Sequence, residues 1–187
     1  MSTYETLSAQ DALRRLKEGN KIYLKSKTCT GDISPEIRQY TSVNGQKPYA
    51  VIVGCSDSRV IPECIFSAGI GELFVVRVAG NVIDNHQLGS IEYATEHLGC
   101  KLIVVLGHTG CGAVSAAASE NSGHVKFITD EIRRAVGVET DPVKASILNV
   151  KQSVAKIEKH LTKIDGLQVT GALYRTESGE VDFDIDG

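Results

Sequence analysis

No apolar run in this 187-residue sequence approaches the ~20 residues that a membrane span requires, so a membrane-embedded helix is not expected. No basic stripe is present that could neutralise a phosphate backbone, and 20 Lys and Arg are outweighed by 23 Asp and Glu for a net charge of -3. Nucleic acid is therefore not an expected partner. The segment Met1 to Gln10 is polar and lacks the basic and then apolar layout of a secretory signal, which predicts a cytoplasmic location. No Gly-Lys-Ser/Thr follows any apolar run, the turn after Gly54 lacks the second and third glycines of a dinucleotide fingerprint, and neither Ser56 nor Ser58 sits in a Gly-x-Ser-x-Gly elbow. Nucleotide binding and serine hydrolysis both lack support. There is no internal repeat, low-complexity tract or linker-like shift in composition, so one domain is expected.

What is present fits a globular chain. An apolar fraction of 42% against 23% charged residues is ordinary for a protein with one buried core. Short continuous apolar runs at Pro48 to Val53, Leu73 to Val78 and Leu102 to Leu106 predict buried strands, each ending near glycine. Between the second and third lies Asp84 to Leu98, with apolar residues at helical spacing; Pro142 to Lys163 repeats that spacing behind a proline suited to a first turn. Such alternation makes a mostly parallel central sheet flanked by helices, an α/β fold. Leu167 to Tyr174 and Val181 to Ile185, around Thr176-Glu-Ser-Gly179, read as a closing β-hairpin. Glu120 to Thr140 is compatible with helix, loop or both. At the start, Ser8 and Asp11 form an N-cap pair for an amphipathic helix to Lys25 whose Leu13, Leu16, Tyr23 and Leu24 are expected to face outward, onto a partner subunit. Residues 1–47 thus read as a helical arm with a polar connector, and 48–187 as the α/β core.

Five cysteines without export signals argue against a disulfide framework. Cys64 and Cys100 sit among large apolar residues and read as small buried hydrophobes, and Cys29 as incidental. Cys55 and Cys111 differ. In an open parallel sheet ligands gather beyond the carboxyl ends of the strands. Gly54-Cys-Ser-Asp-Ser-Arg59 follows the first strand and Gly107-His-Thr-Gly-Cys-Gly112 the third, delivering Cys55, His108 and Cys111 to one edge. Three ligands with a fourth position open describe a catalytic rather than a structural zinc site. Alone, His-x-x-Cys is weak evidence, because glycine-rich turns also serve nucleotide sites. Asp57 and Arg59 strengthen the case: their spacing allows a bidentate pair beside the metal, although an ordinary loop salt bridge has the same spacing. His86, His97, His124 and His160 have no metal-binding partner at useful spacing and read as surface or helix-face residues.

Cys55-Ser-Asp-Ser-Arg59, Glu72-Leu-Phe-Val-Val-Arg77 with Asn81, Gly89-Ser-Ile-Glu-Tyr93 and Gly107-His-Thr-Gly-Cys-Gly112 together resemble the successive motifs of β-class carbonic anhydrases. The resemblance implies reversible hydration of carbon dioxide to bicarbonate and a proton by a metal-bound hydroxide, with one Zn2+ per chain on Cys55, His108 and Cys111. Carbonyl sulfide or carbon disulfide hydrolysis, on the same zinc site, is the alternative. It further implies that Asp57 and Arg59 act in catalysis, Asp57 becoming a fourth ligand in a closed state. Gln46, Phe74, Tyr93 and the backbone N–H of Gly112 would bind substrate or product. The implied assembly is a homodimer or higher even oligomer with the active site at the interface, where Gln46, Phe74 and Tyr93 come from the neighbouring subunit. In one subgroup bicarbonate closes the site from a pocket built on a Trp three residues before the first cysteine, an Arg and a Tyr. Arg77 matches the arginine, but Ile52 stands in the Trp position and the chain contains no tryptophan.

Overall fold

A computed structural model describes residues 7–118, 125–161 and 164–185. Strands β1 (Ala50–Gly54), β2 (Leu73–Arg77), β3 (Leu102–His108), β4 (Gln168–Tyr174) and β5 (Val181–Asp182) form one sheet in the order β2-β1-β3-β4-β5. All pairings are parallel except β4 with β5, the closing hairpin. β1 and β3 are buried at every residue, because helices cover both faces and leave no polar side to the strand. Ala50, Ile52, Val104 and Leu106 point to one face, with Phe66 and helix α1 (Ala9–Tyr23). Val51, Val53, Ile103 and Val105 point to the other, against α4 (Asn85–Glu92) and α7 (Pro142–His160). Burying an aliphatic side chain of this size contributes about 1.5–3 kcal/mol. Among the described residues no helix is long and apolar enough to cross a membrane.

Sequence signals account for most helix ends. Ser8 caps α1 by accepting from the Asp11 N–H, Asp84 and Gln87 close a capping box on α4, and Asp141 with Pro142 starts α7. After α4 the chain continues as a π-helical turn over Tyr93–His97. Within the ambiguous stretch from Glu120, α6 occupies Lys126–Val136. Residues 120–124, with His124, lie outside the described residues, as do 162 and 163 at the end of the predicted last helix.

Three expectations need correction. The amphipathic face of α1 does not turn outward: Ala9, Ala12 and Leu16 are buried in the chain's own core, and Leu13 and Tyr23 pack against it. Small residues allow this close approach; a Cβ on Gly19 would come within 1.9 Å of the Phe66 carbonyl oxygen. Second, the polar connector contains a helix, α2 (Pro35–Asn44), capped by Ser34 with Pro35 in its first turn. Third, Cys29 and Cys64 form a disulfide, with α-carbons 4.7 Å apart. The cause is tertiary. The Asp32 carbonyl accepts from the Ile70 N–H at 3.0 Å, and Gly31 lies directly on Ala68, so the segment around Cys29 is held against the residues that follow α3 (Pro62–Ile65), the helix that carries Cys64. Cys100 behaves as expected: it is buried, its thiol donates to the Pro48 carbonyl at 3.1 Å, and burial pushes it up to about 11. The closing hairpin is present, with β5 limited to two residues.

Candidate metal centre

β1 and β3 are adjacent and parallel, with Gly54 opposite Leu106, so both chain ends emerge at the same edge. Cys55 follows β1 directly, His108 ends β3, and Cys111 precedes α5 (Gly112–Ala118). The two sulfurs and a ring nitrogen of His108 lie within 4.8 Å of one another, and all three residues are buried. His108 is completely inaccessible. Its Nδ1 is 3.0 Å from the Thr109 carbonyl oxygen, which accepts its proton and leaves Nε2 with a lone pair. Among the described residues that Nε2 has no hydrogen-bond partner. A sealed, unpaired imidazole nitrogen is costly by itself; facing two sulfurs, it has the arrangement of a metal ligand.

The sulfurs are prepared for charge. Cys55 Sγ is hydrogen-bonded by Cys111, is favoured as a thiolate by the facing His108 ring, and accepts from the backbone N–H of Gly80 at 3.2 Å and of Asp57 at 3.4 Å, which together outweigh burial and hold its pKa well below the usual thiol range. Cys111 is pushed up, first by its hydrogen bond to Cys55 and then by burial. To hold a divalent cation both thiols would be deprotonated and the imidazole neutral, and the hydrogen bonds to Cys55 Sγ favour that form. Gly80 has a φ of +69°, and a Cβ there would meet Ile132 at 2.7 Å. The position therefore requires glycine to bring its N–H to the sulfur.

Asp57 and Arg59 form the expected fork. Arg59 Nε donates to Oδ1 at 3.0 Å, Nη2 to Oδ2 at 2.8 Å, and the Arg59 backbone N–H to Oδ1 at 2.9 Å. These hydrogen bonds hold the Asp57 carboxyl well below the ordinary carboxylate range. Its Oδ2 lies 3.9 Å from His108 Nε2, beside the three ligands but turned to the guanidinium. Arg59 also donates to the Gly110 carbonyl at 3.0 Å, tying the two ligand-bearing turns together. Arg77 braces the first turn by donating to the carbonyls of Cys55 at 3.1 Å and Asp57 at 2.8 Å. Sequence reasoning matched Arg77 only to an effector pocket and missed this brace; no local pattern signals a bond between residues about twenty positions apart.

The remaining candidates are not all brought together. Gly112 opens α5 next to Cys111, where its N–H lacks an intrahelical partner. Phe74 sits near the other end of the sheet, opposite Val51, roughly 13 Å along the strand from Cys55 at ~3.3 Å per residue. Tyr93 packs on it with ring centroids 6.1 Å apart and is 48% exposed. Gln46 is exposed before β1, at that same far end. His86, His97 and His160 lie outside the cluster; His160 pairs with Glu92 at 2.7 Å.

A family model described as carbonic anhydrase matches residues 50–181, most of the chain and all three candidate ligands. The chain belongs to the β-carbonic anhydrase family. Carbonic anhydrase 2 of Mycobacterium tuberculosis is 48% identical over 126 residues, 66% of this chain and 60% of that protein, so the match spans less than two thirds of that relative's length. The carbonic anhydrase of Mycolicibacterium smegmatis is 37% identical over 92% of this chain and 91% of its own. Among solved structures, a tetrameric β-carbonic anhydrase of Sordaria macrospora superposes with a TM-score of 0.67 at 25% identity, covering 79% of this chain and 86% of that one. The β-carbonic anhydrase fold is thus reproduced over most of the chain.

Proposed function

We propose that the protein catalyses the reversible hydration of carbon dioxide to bicarbonate and a proton, with one zinc ion per chain held by Cys55 Sγ, His108 Nε2 and Cys111 Sγ. The observation that carries this reading is the buried His108 Nε2, which has no hydrogen-bond partner among the described residues and faces two sulfurs of which one is predisposed to ionise. Two thiolates and an imidazole are a donor set suited to zinc, and three protein ligands leave a position open. Zinc, when bound, supplies a Lewis acid that makes water nucleophilic near neutral pH.

The chain's own residues do the rest. Asp57, kept ionised and turned away by Arg59, accepts a hydrogen bond from the attacking water and holds it toward the substrate carbon. Val82, Val114, Ala117 and Ile132 wall the cysteines with apolar surface, suited to a small apolar gas and poor for bulk water. The free N–H of Gly112 donates to a bicarbonate oxygen. Gln46, Phe74 and Tyr93 complete the pocket of a neighbouring copy: they lie at the far end of the sheet from their own Cys55, next to the open edge of β2, and Tyr93 keeps half its surface exposed. The working unit is then a homodimer or a higher even assembly, in keeping with the tetrameric Sordaria relative.

Stopped-flow hydration with a pH indicator tests this on the protein as purified, after chelation, and after return of one equivalent of zinc. Activity, its loss and its recovery are expected in that order. A zinc-loaded protein that fails to hydrate carbon dioxide, or that hydrolyses carbonyl sulfide or carbon disulfide faster, overturns the reading.

A further inference from the structure

The turn from His108 to Cys111 carries two of the three ligands, and its geometry is held from outside by the C-terminal hairpin. Thr109 is 8% exposed, and its hydroxyl is fully engaged. It donates to Glu177 Oε2 at 2.8 Å and lies 2.9 Å from both the Thr176 N–H and the Thr176 hydroxyl. Because its one proton goes to the carboxylate, its lone pairs are left to accept from Thr176. The Thr176 hydroxyl also lies 3.4 Å from the Thr109 carbonyl, the group that accepts from His108 Nδ1. The Thr109 N–H is fixed by the Tyr174 carbonyl at 3.0 Å, and on the opposite side Arg59 holds the Gly110 carbonyl.

The hairpin is itself a firm support. Buried Asn20 of α1 donates to the Gly179 carbonyl at 2.9 Å and the Ile65 carbonyl at 3.2 Å, and accepts from the Val181 N–H at 3.1 Å. A continuous set of hydrogen bonds therefore runs from α1 through the hairpin turn to the peptide that orients the His108 ring.

We propose that Thr109 is a positioning residue for the metal centre, locked by Thr176 and Glu177 so that the Thr109 carbonyl fixes the His108 ring with Nε2 aimed at the metal. This rests on the zinc assignment above. Partners of this kind, one step beyond a ligand, typically carry 10–100-fold of metal affinity.

The test is the zinc dissociation constant of the intact protein, by competition with a chromophoric chelator at fixed pH, with the cobalt-substituted absorption spectrum as a second readout. Thr109→Val keeps the shape and removes the hydroxyl; it is expected to weaken zinc by about 10–100-fold and to alter the cobalt ligand-field bands, with Thr109→Ser restoring both. Glu177→Ala, at an exposed position that leaves the core intact, is expected to weaken zinc in the same direction by about tenfold or less. Melting of the metal-free proteins separates positioning from folding. Unchanged zinc affinity in Glu177→Ala together with Thr109→Val, or a Thr109→Ser variant as weak as Thr109→Val, overturns the proposal. If Thr109→Val does not fold, Glu177→Ala decides. An unmodified protein that takes up no zinc refutes instead the assignment on which the proposal rests.

Discussion

Opening the Cys29–Cys64 bond gives a quantity that can be worked from the structure. The two cysteines are 35 positions apart. In the chain-entropy relation a closed loop of that length removes about 13 cal/mol/K from the unfolded ensemble, or about 4 kcal/mol at 25 °C. For a chain of this size each kcal/mol moves the melting temperature by roughly 2–4 °C, so the open form should melt about 8–16 °C lower. The fold should survive, because the Asp32–Ile70 hydrogen bond and the Gly31 contact still hold the segment against the residues that follow α3. The assay is thermal melting of zinc-loaded protein at one concentration, comparing the oxidised chain with Cys29→Ser and with the chain reduced by a phosphine, which spares the metal better than a dithiol does. Alkylation under denaturing, metal-free conditions supplies the control: Cys55, Cys100 and Cys111 are free thiols, so three groups should react before reduction and all five cysteines after it. Five reactive thiols in the unreduced protein, or melting points of Cys29→Ser and oxidised protein within about 1 °C, would refute the reasoning. The same count on protein trapped in cells tests the cytoplasmic location expected from the polar N-terminus, since cytosolic reductants oppose such a bond.

Cys55→Ser and Cys111→Ser should each lose most of the zinc, measured as metal per chain, because a hydroxyl is a poor substitute for a thiolate; one equivalent retained in both would contradict the ligand assignment. Arg59→Ala should free Asp57 to approach the metal, abolishing most hydration activity while zinc stays bound, and near-normal rates in that variant would refute the gating role of the pair. The Asp57 carboxyl lies below its ordinary value, so its contribution to stability is complete above about pH 4 and is lost as pH falls through the lower folded value. Urea midpoints of metal-free protein should therefore fall more steeply with acid in the native chain than in Asp57→Asn, and parallel curves would show the pair to be worth nothing. With Ile52 buried where the effector pocket needs tryptophan, bicarbonate should act as simple product, and cooperative inhibition in initial-rate measurements would contradict this.

The parallel sheet and the clustering of Cys55, His108 and Cys111 were legible in the sequence because both depend on short-range pattern. β1 and β3 are uninterrupted apolar runs, and a parallel sheet forces the residues after such strands to one edge. Asp57 and Arg59 were legible for the same reason, being two residues apart in one turn. Helix α2 was readable but passed over: Ser34-Pro35-Glu36 is a helix start inside what reads by composition only as a polar connector. What stayed hidden depends on long-range approach. Cys29 gives no sign that Gly31 and Asp32 will dock beside Cys64, Arg77 none that it will hold the carbonyls of the first ligand turn, and Glu177 none that it will meet Thr109. The inward packing of α1 was misjudged because the small residues Ala9, Ala12 and Gly19, which with Leu16 form the close contact, carry little weight in a reading built on Leu13, Leu16, Tyr23 and Leu24.

The two edges of the sheet are unequal, and this limits how copies can grow together. Among the described residues β2 and β5 are the two outer strands, each paired on one side only, but β2 offers five residues where β5 offers two. If the proposed pair forms β2 to β2 about a two-fold axis, both of these longer flanks are consumed at once, and the joined sheet presents only the short β5 edges at its outer ends. In the proposed assembly the two-residue β5 edges are a poor template for further strand pairing, so a larger even assembly would be built through other faces. A monomer obtained by dilution would carry the uncovered strand beside Phe74 and Tyr93, so loss of the partner should appear as filament-like aggregation as well as loss of turnover.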